Sequence, residues 1–174
     1  MKNLKLYKTV QAALFAALTC VATMLIQIPV PSTGGYLNLG DAVILLGALL
    51  LGPAYGFAAG GLGSMLADLL SGYAQYVPGT LVIKGLCALT AALLWKKLQP
   101  LSLRSPLPVL AVACVSAELI MVIGYFVYEA FLLGYGLAAI AAVPGNLLQA
   151  GAGVLLAVPL FWQLKKRLTS ASKA

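Results

Sequence analysis

Five ionisable side chains sit inside apolar sequence: Asp41, Asp68, Lys84, Glu118 and Glu129. The chain has four acidic residues, so this set holds every side-chain carboxylate it owns. Brought together in space, such groups can carry protons, hold ions or meet the polar edge of a bound molecule. Isolated in an apolar surround, each is costly enough to require a partner or a cavity. Asp41, Asp68 and Lys84 all fall within residues 38–85, where Gly52, Gly56 and Gly60 recur at every fourth position and Ser64, Asp68 and Gly72 extend the row. Small side chains at that spacing let helices approach closely in lipid. This stretch therefore carries charge and also the means to pack helices around it.

Several chemistries are excluded by residue type. The chain has no histidine, so a Ser–His or Cys–His hydrolase cannot be assembled. No G-x-x-x-x-G-K-[ST] loop is present, and ATP is not bound in the P-loop manner. Gly63-Ser64 has only a superficial likeness to a nucleophile motif, because no base accompanies it; helix packing explains it better. The four carboxylates are spread over three segments, Glu118 and Glu129 sharing one, without metal-ligand spacing or an inferable acid–base pair, so neither a metal nor a cofactor is expected. Cys20, Cys87 and Cys114 each stand alone in apolar sequence and read as small core residues. An enzyme is the weak reading.

The elements that must position these groups follow from composition. Of 174 residues, 62% are hydrophobic and 9% charged, with a mean hydropathy of +1.01. That lies far outside soluble usage, and at ~20 residues per bilayer span the length allows about six spans and no soluble domain beside them. Apolar segments cover residues 10–28, 42–51, 54–70, 79–95 and 109–133, with a sixth beginning at Ala138 or Pro144 and running to 164. Ser32-Thr33-Gly34-Gly35 makes a flexible turn after the first segment. The basic start followed by apolar residues resembles a signal peptide, but its length and the lack of a clear cleavage site favour a first membrane helix.

The net charge of +7 does not point to nucleic acid, because ten of the eleven basic residues form three clusters at segment ends. These are Lys2, Lys5 and Lys8; Lys96, Lys97 and Arg104; and Lys165, Lys166, Arg167 and Lys173. Such placement sets topology and favours contact with anionic lipid. Placing all three clusters on the cytoplasmic side requires an even number of crossings between neighbours. That condition makes Gly52-Pro53 a turn rather than a kink. The expected fold is an all-α integral membrane protein, a single bundle of six transmembrane helices over residues 1–174 with both termini cytoplasmic.

In that topology the uncommon polar residues converge on the outer half. Asn38 and Asp41 sit where the chain enters the second helix, Asp68 ends the third, and Tyr76 lies in the loop beyond it. Thr80 with Lys84, and Tyr125 with Glu129, share i, i+4 faces; Asn146 and Gln149 share an i, i+3 face. The convergence describes a small outward-facing ligand pocket, with acid and base in balance and suited to a roughly neutral heterocycle. Packing offers competing accounts. Asp68 and Lys84 equally well form an interhelical ion pair, with Asp41 the other carboxylate open to Lys84; Asp41 is also placed to cap a helix, and Tyr73 and Tyr128 fit an interfacial belt. Glu118 lies too deep for the pocket and reads as structural. Ala12, Ala13, Ala16 and Ala17 give A-x-x-x-A twice over at the cytoplasmic end, which by itself is ordinary small-residue packing.

With these residues assembled, the chain resembles a substrate-binding S component of an energy-coupling factor (ECF) vitamin transporter. The likeness spans the whole chain. Its specific part is the order Asn38-Leu39-Gly40-Asp41-Ala42, Gly52-Pro53, Ala59-Gly60-Gly61, Ala67-Asp68, Pro78 and Ile83-Lys84-Gly85, similar to the riboflavin, hydroxymethylpyrimidine and pyridoxine branch. The resemblance implies a vitamin or precursor bound from outside, and a membrane coupling subunit docked on the alanines of the first helix. It also implies two cytoplasmic ATPase subunits carried by that partner, which fits the missing P-loop. Either Ala12 with Ala16 or Ala13 with Ala17 is the docking pair, the latter favoured. On substrate, hydroxymethylpyrimidine or pyridoxine leads, with riboflavin third. The rival reading is a self-sufficient homo-oligomeric transporter or channel.

Overall fold

The computed structural model describes residues 2–101 and 105–171. Arg104 and Lys173, members of two basic clusters, lie outside the described residues, as do Met1 and the last residue of the expected domain. Six helices dominate: α1 Lys2–Leu25, α2 Gly40–Leu51, α3 Pro53–Leu70, α4 Val77–Leu98, α5 Leu107–Val127 and α6 Val143–Ala171. Proline marks where four of them begin. Pro53, Pro78, Pro108 and Pro144 all occupy the first two positions of a helix, where the missing N–H has no intrahelical acceptor to lose.

Between α1 and α2 the chain forms a β-hairpin, not the expected flexible turn. Strand β1, Ile28–Val30, pairs antiparallel with β2, Gly35–Leu37, in the register Ile28↔Leu37, Pro29↔Tyr36 and Val30↔Gly35. Gly34, with a φ of +62°, closes the turn, and its N–H donates to the Val30 carbonyl at 3.0 Å. At the far end of α5 the helix widens into a π turn over Tyr128–Leu132, and a 3₁₀ segment, Gly136–Ala142, leads into α6.

The Gly52-Pro53 junction is a turn. Gly52 adopts a φ of +85°, and beyond it α3 folds back along α2. A Cβ at Gly56 would stand 2.8 Å from Ala48 Cα, and one at Gly60 2.9 Å from Ile44 Cγ2. Those two pairs are symmetric about Gly52, which is the register of an antiparallel helical hairpin. Helix α3 touches three neighbours through glycine. Gly63 abuts the Ala16 carbonyl of α1, and Gly61 lies where a Cβ would be 2.7 Å from the Leu81 carbonyl of α4. The every-fourth-residue glycine row is therefore a packing device. Small residues also fill the main core, where Ala48, Ala88, Ala91, Ala113 and Ala117 are buried beside Leu45, Leu110 and Met121.

The outer surface is apolar all round. Leu14, Leu18, Val82, Leu93, Val112, Ile123, Leu148 and Leu155 are all exposed, a distribution that belongs in lipid. Residues 3–25, 77–98, 107–132 and 136–168 form four stretches long and apolar enough to cross a membrane. Helix α2 has only 12 residues, ~18 Å of rise against a hydrocarbon core of ~30 Å.

Contacts fix which helix ends lie together. Ala12 packs with Leu51 and Ala59, and Leu49 and Leu50 share a groove with Trp95, Phe161 and Lys165. Trp95 meets Phe161 edge-on at 5.5 Å, and the Lys165 ammonium lies 4.6 Å from the Trp95 ring centroid. The described members of the three basic clusters thus gather at one end of the bundle. Asn38, Asp68, Tyr76, Glu129 and Asn146 lie at the opposite end, beside the hairpin.

Candidate functional site

At that opposite end, the hairpin, Asn38 just before α2 and the ends of α3 to α6 enclose a polar cavity of about 30 Å³. Its lining consists of Val30, Thr33, Gly35, Tyr36, Asn38, Asp68, Tyr76, Thr80, Tyr125, Glu129, Ala142, Asn146 and Gln149. Eight of the ten ligand-binding positions expected from sequence are in this wall. The remaining two, Asp41 and Lys84, sit beneath it.

The floor is a closed network. Lys84 Nζ donates to Asp41 Oδ1 at 2.5 Å, with both side chains almost wholly buried at 2% and 1% exposure. Gln149 Nε2 donates to Asp41 Oδ2 at 2.6 Å, while Gln149 Oε1 accepts the Asn38 backbone N–H at 2.7 Å. Both oxygens of Asp41 are engaged. The Lys84 ammonium also lies 5.4 Å from the centroid of the Tyr125 ring. Of the two carboxylates open to Lys84 from sequence, Asp41 and Asp68, the structure selects Asp41, because the first turn of α2 carries it inward against α4. One sequence expectation is corrected: Asp41 is not a cap, since α2 starts at Gly40, whose N–H donates to Asn38 Oδ1 at 2.9 Å.

The rim is built differently. Tyr36, from β2, donates its phenolic hydrogen to Asp68 Oδ1 at 2.6 Å. Burial and the adjacent Asp68 carboxylate push the Tyr36 phenol well above its ordinary range, so it stays a donor. Across the cavity, the Tyr76 hydroxyl lies 2.8 Å from the Thr33 carbonyl and 3.0 Å from Glu129 Oε1. Burial raises the Tyr76 phenol too. Thr80 and Tyr125 share a hydrogen bond of 2.9 Å between their hydroxyls. Asn146, 8% exposed, faces the cavity from the first turn of α6. Tyr73 packs against Tyr36 with ring centroids 4.5 Å apart, and Tyr128 donates to the Gln75 carbonyl at 2.7 Å. Neither lines the cavity. Glu118 is buried below the floor, with Cys87 Sγ 3.8 Å from Oε1. The cavity excludes it.

The sequence reading missed the hairpin's contribution, chiefly Thr33 and Tyr36. The signal was present: Gly34-Gly35 between Ile28-Pro29-Val30 and Tyr36-Leu37 is a hairpin pattern, obscured by the prolines at 29 and 31.

The family described as "ECF-type riboflavin transporter, S component" matches residues 3–166. The chain belongs to this family. Among curated relatives, an uncharacterised protein of Pyrococcus woesei, named from a gap 3′ region, is 37% identical over 148 residues, covering 85% of this chain and 95% of that one. The thiamine precursor transporter HmpT of Lactococcus lactis subsp. cremoris (strain MG1363) is 31% identical over 158 residues, covering 90% of this chain and 87% of that one. The chain is thus a transporter component of the multi-pass membrane class and not an enzyme by family.

The two alanine pairs of this S component point in different directions. Ala12 is buried against α2 and α3, and Ala16 packs beside it, with its carbonyl over Gly63. Ala13 and Ala17 are exposed on the outer face of α1. One pair holds the bundle together, and the other is left open at its surface.

Proposed function

We propose that this S component is the high-affinity, membrane-embedded binding subunit of an ECF uptake transporter for a small B-vitamin or vitamin precursor. The observation that carries the reading is the polar cavity at the bundle end opposite the basic clusters, in a chain of this family. Six membrane crossings with both termini cytoplasmic put the cavity on the outer side, in keeping with basic residues inside. Hydroxymethylpyrimidine or pyridoxine is favoured and riboflavin comes third. The Lactococcus relative's name supports a thiamine precursor, and a cavity of about 30 Å³ opens for a single small ring with less displacement than for a flavin. Energy comes from partners. A membrane coupling subunit docks on Ala13 and Ala17 and brings two cytoplasmic ATPase subunits.

A thermal-shift screen of the detergent-purified chain against B-vitamins and precursors tests this. Ligand at a thousand times its Kd stabilises the fold by ~4 kcal/mol. A clear upward shift with one pyrimidine, pyridine or flavin is the expected result. A folded chain that no vitamin stabilises, yet which moves solute into vesicles unaided, would establish the self-sufficient transporter instead.

A further inference from the structure

We infer that the cavity selects a ligand rich in hydrogen-bond donors, an amino-substituted or protonated nitrogen ring, with Asp68 and Glu129 as the receiving carboxylates. The inference rests on the binding-subunit reading and specifies the chemistry of that site. Asp68 and Glu129 are each 4% exposed and both line the cavity. Asp68 Oδ2 and Glu129 Oε2 are buried without a hydrogen-bond partner among the described residues. Among the described residues, no lysine or arginine lines the cavity. Lys84 is bound to Asp41 in the floor. The acid–base balance expected from sequence therefore fails at the wall itself: two acids face the cavity, and the base is engaged elsewhere.

The donors around these acceptors are hydroxyls with one hydrogen each: Thr80 beside Asp68 and Thr33 beside Glu129, together with two tyrosines. Tyr76 has one phenolic hydrogen to share between the Thr33 carbonyl and Glu129 Oε1, and Tyr36 reaches only one oxygen of Asp68. A buried acceptor without a donor costs ~1–3 kcal/mol, more when charged. A ligand edge pairing an amino group with a protonated ring nitrogen offers a carboxylate two parallel N–H donors, the strong bidentate arrangement. The Tyr125 and Tyr76 rings, 6.4 Å apart between centroids, supply faces that attract a cationic ring. An oxo, carboxylate or phosphate group in the same place would set acceptor against acceptor, which rejects it.

The test compares ligands that differ only in that group, by calorimetric titration of the purified full-length chain. The pairs are 4-amino-5-hydroxymethyl-2-methylpyrimidine against its 4-oxo counterpart, and pyridoxamine against pyridoxal. The amino member of at least one pair is expected to bind about tenfold or more tightly than its partner. Asp68→Asn or Glu129→Gln is expected to bring that ratio close to one. Equal affinities within both pairs, or binding of riboflavin alone, overturns donor selection and leaves the vitamin-binding reading intact. A ratio unchanged in both variants overturns the assignment to these carboxylates. If the variants fail to fold, the wild-type ratio alone decides donor selection. No binding of any of these compounds by folded chain overturns both readings.

Discussion

Replacing Lys84 with methionine separates a ligand contact from a structural ion pair. The ammonium is 2% exposed and lies 2.5 Å from Asp41 Oδ1. Lys84→Met leaves the Asp41 carboxylate buried, with Gln149 as its one remaining side-chain donor among the described residues. Removing one partner of a buried pair costs ~3–5 kcal/mol, because the remaining charge is uncompensated. At about 2–4 °C per kcal/mol for a chain of this size, the midpoint falls by roughly 6–20 °C. Adding Asp41→Asn removes the stranded charge while keeping an oxygen for Gln149 Nε2, so the double variant is expected to recover most of the loss. Scanning fluorimetry of the parent, both single variants and the double variant closes the cycle, and calorimetric affinity is measured on each. A Lys84→Met chain that melts within ~2 °C of the parent but binds its vitamin much more weakly would refute the structural assignment and place the ammonium on the ligand.

Two further expectations concern the faces of α1 and α3. Ala13→Trp and Ala17→Trp alter exposed positions and are expected to leave vitamin affinity unchanged while blocking co-purification with the coupling subunit; Ala12→Leu, inside the bundle, costs ~1–3 kcal/mol by overpacking. Retained assembly in both tryptophan variants would move the docking face elsewhere. Gly63→Ala drives a methyl into the Ala16 carbonyl and to 2.8 Å from Thr19 Cβ, and is expected to lower the midpoint by several degrees. Gly151→Ala meets nothing within 4 Å and should melt with the parent; equal behaviour of the two would mean that α1 and α3 separate without cost.

Much of the framework was legible from residue type alone. Proline at helix starts, glycine at Gly52 and runs of apolar residues place the starts of α2 to α5 closely, because each rests on local backbone preference or on solvent; α1 begins already at Lys2 and α6 runs on to Ala171, beyond the apolar segments, where basic residues continue the helices. Lone polar residues in apolar sequence identified eight cavity-lining positions for a similarly simple reason. At membrane depth a polar side chain is retained only where it faces a cavity or a partner. The hairpin was lost because Pro29 and Pro31 argue against a strand, while the cross-strand pairing that tolerates Pro29 is not a local property.

The sequence by itself determined a six-helix apolar chain, the separation of basic and polar ends, and its membership in a family of transporter components. Only the tertiary structure decided which groups meet. Periodicity assigns Thr80 and Lys84 to one face of α4, but the partner of that face depends on how α2 and α3 are rotated and set in depth across the bundle. That arrangement delivers Asp41 to Lys84 and leaves Asp68 to Tyr36. It also turns Ala12 inward and Ala13 outward, a difference that spacing alone left open because both pairs repeat at the same interval of four.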